Sequence, residues 1–167
     1  MARRRPGDLR RRRGRERGAG PQGRGATRVA WRPAVTARVS VSTTRVRYAE
    51  TDQMGVVYYA NYLIWFEIGR TDWLRETGWT YRSMEADGFQ LPVTEAHCEY
   101  AHGARYDDEL EIRTRAAQVS PVRIRFDYEV VRRADGVALA SGHTVHATIG
   151  PAGRPARLPD RMKDLFA

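Results

Sequence analysis

The sequence predicts an α+β domain: a curved antiparallel sheet of about five strands wrapped around one long central helix. Three observations carry that reading. Apolar residues repeat at helical spacing once, between about Tyr58 and Glu76. They alternate at strand spacing in one stretch before that segment and in four stretches after it. The connections among the later stretches are short, which makes neighbouring strands antiparallel. A single sheet with one apolar face must then bury it against that helix.

The first strand lies in "ARVSVSTTRVRYA", where Val39, Val41, Thr43 and Arg45 alternate with Arg38, Ser40, Ser42, Thr44 and Val46. In the helical segment, Tyr62, Trp65, Phe66, Gly69 and Trp73 share one face, and Leu63, Ile64 and Ile68 fall on others. A helix apolar nearly all round in its first half is expected to be wrapped on most sides. Gly78 is its stop. A short connection that can turn helically, Thr80–Asp87, leads to strands at about Phe89–His102, Asp108–Val119, Val122–Arg133 and Val137–Ile149. "RADGVA" joins the last two as a hairpin turn, with Asp135-Gly136 supplying the positive φ angles. "LPDRMKDLF" can form a short helix after Pro159.

The 167 residues, 41% of them hydrophobic, suit one domain with its own core. No apolar run approaches the roughly 20 residues of a membrane-spanning helix. A single cysteine, Cys98, cannot build a disulfide framework, and the expected compartment is a reducing cytoplasm. The net charge of +9 suggests nucleic acid until its distribution is read. Residues 1–37 carry 12 of the 29 basic side chains, against Asp8 and Glu16 alone, so the excess lies in that segment. Its Arg, Gly and Pro content marks residues 1–37 as a disordered tail with no apolar region of a signal peptide. It reads as a dispensable extension, with nucleic-acid binding as the runner-up. "GAGPQG" matches G-x-G-x-x-G but has no strand before it and no helix after it.

Metal binding is not expected: His143 and His146 are three apart and His97 and His102 five apart, odd separations that split strand side chains between faces. No G-x-S-x-G is present, and Cys98 has no evident His partner. What remains is "ETDQMGVVYYANY". Asp52 follows a strand and precedes a helix, and Gly55 lets backbone approach a bound molecule. A helix N-terminus presents unpaired N–H groups to a polarised carbonyl, and a carboxylate beside it can attack that carbonyl or activate water. On these facts alone Asp52 reads more simply as a turn or N-cap residue.

Asp52, Gly55, Tyr59, Asn61 and Tyr62 form D-x-x-G-x-x-x-Y-x-N-Y, which resembles the signature of hotdog-fold acyl-CoA thioesterases. The nearest groups are the 4-hydroxybenzoyl-CoA thioesterase family and the Tol-Pal-associated thioesterases. The resemblance continues through "EIGRTDWLRETG", "ARYDDELEIRTR", "RIRFDYEV" and "GRPARLP". It implies a hotdog thioesterase domain over residues 38–167, hydrolysis of acyl-CoA without a cofactor, and a homodimer or homotetramer with active sites at subunit interfaces. It puts Asp52 in the position of the catalytic carboxylate, as nucleophile or general base. It puts the Tyr59 N–H in that of the donor to the thioester carbonyl. Some relatives carry His at that position.

Gly55, Val57, Tyr58 and Asn61, in the same motif, are substrate-binding candidates, although Tyr58, like Trp65 and Trp73, reads more simply as core. Coenzyme A carries phosphates, for which Arg123, Arg154 and Arg157 are the candidates. Glu67 is expected to pair with Arg70 at i, i+3, and Glu50 to be solvated. Two other classes stay open. One is a hydratase or dehydratase, which needs a His that the motif lacks; the other is a non-catalytic protein binding acyl-CoA or nucleic acid.

Overall fold

The computed structural model describes residues 38–166, and the expectations for residues 1–37 lie outside them. The elements in chain order are β1 (Ser40–Arg45), α1 (Asn61–Glu76), α2 (Tyr81–Ala86), β2 (Val93–Tyr100), β3 (Glu109–Ser120), β4 (Arg123–Arg132), β5 (Ala138–Ala147) and α3 (Asp160–Lys163). Single 3-10 turns follow β1, at Tyr48–Glu50, and α3, at Asp164–Phe166. All strand pairs are antiparallel in the order β1-β3-β4-β5-β2, so β1 and β2 are the edges.

Helix α1 lies on one face of this sheet. Tyr62, Trp65, Phe66, Gly69, Arg70, Trp73 and Leu74 face inward. Phe66 stacks on Tyr128 of β4 with centroids 4.3 Å apart, and Trp73 meets Phe126 edge-on at 5.7 Å. Gly69 lets the helix come close: a Cβ there would collide with Thr114 and Ile112 of β3. The same need for clearance explains the faces of β1. Ser40 and Ser42 turn toward α1 and are buried, while Val39 and Val41 point outward. Small side chains win the inner face because the helix passes so near.

The helix begins three residues later than its spacing predicts. Residues 58–60 form a tightened lead-in, with Asn61, Tyr62 and Leu63 N–H groups donating to carbonyls three residues back. Its end matches expectation. Gly78 has φ 82°, its N–H donates to the Arg75 carbonyl and that of Trp79 to the Leu74 carbonyl, the paired bonds of a Schellman stop. The expectation that α1 is wrapped on most sides fails among the described residues. The sheet covers a single face, and Leu63 and Ile64 remain 41% and 49% exposed on the other.

Candidate active site

The chain between β1 and α1 is a looped hairpin built by its own polar groups. Thr51 and Val57 bridge in antiparallel fashion. Between them, the Asp52 N–H donates to the Val56 carbonyl and the Gly55 N–H to the Asp52 carbonyl, at 2.9 and 3.0 Å. The Asp52 carboxylate accepts one bond through Oδ1, from the Met54 N–H at 2.8 Å. This is an Asx turn. Asp52 is therefore not the N-cap of α1; Ala60 occupies that position, without a side-chain cap. Gly55 has φ 72°, which accounts for a glycine there, and open space where a side chain would stand.

The exit of the loop leads into the helix. Val57 is in the core and donates its N–H to the Ala104 carbonyl. Tyr58 is exposed, against its reading as a core residue, because residues 58–60 turn outward before α1 begins; Trp65 and Trp73 are buried as expected. Tyr59 is also exposed, its ring tilted against that of Tyr58 at 4.5 Å. Tyr100, the last residue of β2, donates its hydroxyl to the Tyr59 carbonyl at 3.2 Å. Among the described residues, the N–H groups of Tyr59 and Ala60 have no hydrogen-bond acceptor, whereas those of Tyr58 and Asn61 do. One loop thus carries a half-exposed carboxylate and, at the start of the helix, open amide donors.

Glu50 corrects the sequence reading most sharply. It is 5% exposed rather than solvated. Oε2 accepts from the Arg47 N–H at 2.7 Å, and Oε1 from the Arg47 guanidinium at 2.9 Å and the Trp65 indole at 3.4 Å. Burial pushes its carboxyl pKa up, but the Arg47 N–H and guanidinium outweigh that and hold it below the ordinary value. Asn61 is also engaged, its Nδ2 donating to the Glu50 carbonyl at 2.9 Å.

The expected Glu67–Arg70 pair does not form. Arg70 turns under the helix and donates from Nε to the Tyr81 hydroxyl at 2.6 Å, while Glu67 is exposed. His97 and His143 sit opposite each other on β2 and β5 with rings 5.3 Å apart, paired with Glu99 and Glu95 respectively. Cross-strand register brought them together, which separations along the chain do not reveal. Among the described residues no group of three or more His, Cys, Asp or Glu is arranged to hold a metal ion.

Arg123, Arg154 and Arg157 are exposed, but they stand at the other end of the sheet. Arg123 opens β4, and the chain around Arg154 and Arg157 bonds to Thr148, Gly150 and Pro121. The Asp52 loop adjoins the opposite strand ends, near Val46, Tyr100 and Ala104. The ten residues of β4 span about 30 Å at roughly 3.3 Å per residue, so a single copy of the chain does not unite these groups.

A curved five-stranded antiparallel sheet holding one long helix, entered through a polar loop, is the hotdog fold of thioesterases. Residues 46–166 match the Thioesterase-like superfamily, and the chain belongs to that family. It is 35% identical to the putative acyl-CoA thioesterase YneP of Bacillus subtilis, over 60% of this chain and 73% of that one. It is 30% identical to the acyl-CoA thioesterase YbgC of Haemophilus influenzae, over 73% of this chain and 90% of that one. The fold is similar to that of Slr0204, a 1,4-dihydroxy-2-naphthoyl-CoA thioesterase from Synechocystis. There the TM-score is 0.72 and the identity 25%, covering 77% of this chain and 96% of that one.

Proposed function

We propose that the chain hydrolyses acyl-CoA thioesters, with the Asp52 carboxylate as nucleophile or general base and the Tyr59 N–H polarising the carbonyl. The observation that carries this reading is the joint placement, on one loop, of that carboxylate and an amide donor that has no acceptor among the described residues. In either form oxygen adds to the thioester carbon, the C–S bond breaks, and water supplies the remaining oxygen and protons of a carboxylic acid and the coenzyme A thiol. The developing oxyanion accepts from an N–H that needs no reorganisation.

Asp52→Asn tests the reading. Asn keeps an Oδ1 acceptor for the Met54 N–H, so the Asx turn survives while the charge is lost. The expected result is a loss of about 10²-fold or more in kcat and kcat/KM together, read by thiol release from a panel of acyl-CoAs. An Asn variant that folds and turns over near the wild-type rate overturns the mechanism.

The same reading calls for at least a homodimer, formed along β2. That edge strand is exposed along nearly its whole length, and Tyr100 at its end touches the Asp52 loop. Two copies of β2 paired antiparallel about a two-fold axis set the Tyr100 end of one against the Val93 end of the other. The far end of the partner's sheet then approaches the Asp52 loop, which gives cations such as Arg123, Arg154 and Arg157 a route to coenzyme A phosphates. Pairing of such dimers would give the tetramer. Sedimentation showing a stable folded monomer at micromolar concentration counts against a shared site. The proposed compartment is the cytoplasm, since a chain with one cysteine gains no disulfide from an oxidising one. Among the described residues no helix is long and apolar enough to cross a membrane.

A further inference from the structure

Glu50 stands two residues before Asp52 yet shares nothing of its environment. It is a buried anion that accepts three bonds over its two carboxylate oxygens, where the half-exposed Asp52 carboxylate accepts one. Its backbone is engaged as fully as its side chain. The Glu50 carbonyl accepts from the Tyr58 N–H and from Asn61 Nδ2, both at 2.9 Å. Residue 50 is where the loop leaves the 3-10 turn, and residues 58 and 61 are where it returns to the helix. One residue therefore grips both limbs of the loop, and its carboxylate reaches on to Trp65 in the second turn of α1.

We propose that Glu50 is a positioning residue for the hydrolysis, setting the separation of the Asp52 carboxylate from the Tyr59 N–H by fastening the loop entry to the start of α1. The inference rests on the proposed roles of Asp52 and Tyr59. The chemistry follows from the donors around it. Arg47 N–H, the Arg47 guanidinium and the Trp65 indole are all donors, and only an acceptor on both oxygens satisfies them. Glutamine at position 50 presents its amide NH₂ to a donor in either orientation, which breaks at least one of the three bonds and leaves the side-chain volume nearly unchanged. Asn61 is the second handle. Its side chain is the only part of the carbonyl grip that a substitution can remove without altering the backbone.

The experiment compares Glu50→Gln, Asn61→Ala and Asp52→Asn in the full chain by thiol release, together with hydrogen exchange of the loop amides. Glu50→Gln is expected to lower kcat at least about 10-fold with KM changed less than about 2-fold. Exchange in residues 51–61 should rise about 10-fold while β3 and β4 keep their protection. Asn61→Ala should show the same pattern more weakly, and it serves alone if the Gln variant does not fold. A rise in KM with unchanged kcat for Asn61→Ala instead makes that side chain a substrate contact and overturns its part in the clamp. Unchanged loop exchange in both variants overturns the inference whatever the activity. Unchanged kcat in both, with Asp52→Asn inactive, overturns it while leaving the proposed function standing. An Asp52→Asn variant as active as the wild type removes the proposed mechanism and with it the role assigned to Glu50.

Discussion

His146 is fully buried on β5, with both ring nitrogens engaged. Nδ1 lies 2.9 Å from the Leu91 carbonyl, which can only accept, so Nδ1 carries the proton. Nε2 is then an acceptor, at 2.9 Å, for the Thr144 hydroxyl, whose oxygen accepts from the Tyr128 hydroxyl at 2.8 Å. The Tyr128 oxygen in turn faces the Arg70 guanidinium. The chain of bonds runs one way, from Tyr128 to Leu91, and a second proton on His146 would oppose it. Burial first, and Arg70 after it, push the His146 pKa down to about 4, against the push upward from its bond to Leu91. The unfolded chain takes up this proton near pH 6.5 and the folded one does not. Stability is thus unaffected by His146 above that pH and falls between about 6.5 and 4, by up to about 3 kcal/mol. Urea titrations across that window should show the slope in the wild type and lose this part of it in His146→Gln. Glu50, whose pKa is lowered, adds its own loss only below about 4.5.

Among the elements, the contact between β2 and β5 depends on Gly142. A Cβ there would run into the His97 carbonyl of β2 and the ring of Phe66 on α1. Neither can yield easily, since one is backbone and the other is stacked on Tyr128. Gly142→Ala should therefore destabilise by about 3 kcal/mol, the upper end for overpacking, despite the gain that alanine ordinarily brings in backbone entropy. Equilibrium urea unfolding measures it. Because the obstruction falls between β2 and β5, its neighbour in the sheet of the described residues, β2 should lose hydrogen-exchange protection before β3 and β4 do. Helix α1 shows the complementary situation. Its inner face is packed to the point of needing Gly69, while Leu63 and Ile64 face outward and are exposed among the described residues.

For the whole molecule, the charge is divided unevenly along the chain. Residues 1–37 hold an excess of ten positive charges, and the remainder is close to neutral. If the domain from residue 38 onward carries the whole activity, deleting residues 1–37 should leave kcat/KM for acyl-CoA nearly unchanged. The one expected effect is loss of a weak attraction for the anionic substrate, visible at low salt and screened at about 0.15 M. Steady-state kinetics of the deletion variant over a salt series measure it, and loss of activity at moderate salt contradicts the division. Salt-sensitive nucleic-acid binding that disappears with the deletion would assign residues 1–37 a separate role.

Much of this protein was decided locally. The five strands and the long helix follow from alternation and helical repeat, and the stop at Gly78 from a positive φ that glycine adopts freely. The loop was legible too, because Asp52, Gly55, Tyr59 and Asn61 sit within ten residues of one another. Tertiary structure decided what depends on residues distant in sequence or on competition for one surface. Val39 and Val41 yield the inner face to serines because α1 needs the room. Arg70 leaves Glu67 for Tyr81 on another helix. His97 meets His143 through strand register, and Glu50 is buried because Trp65 closes over it. Periodicity reports which way a side chain points relative to its own element. Which neighbour it meets is set only when the elements pack, since the energy of a buried charge or a close contact belongs to the pair.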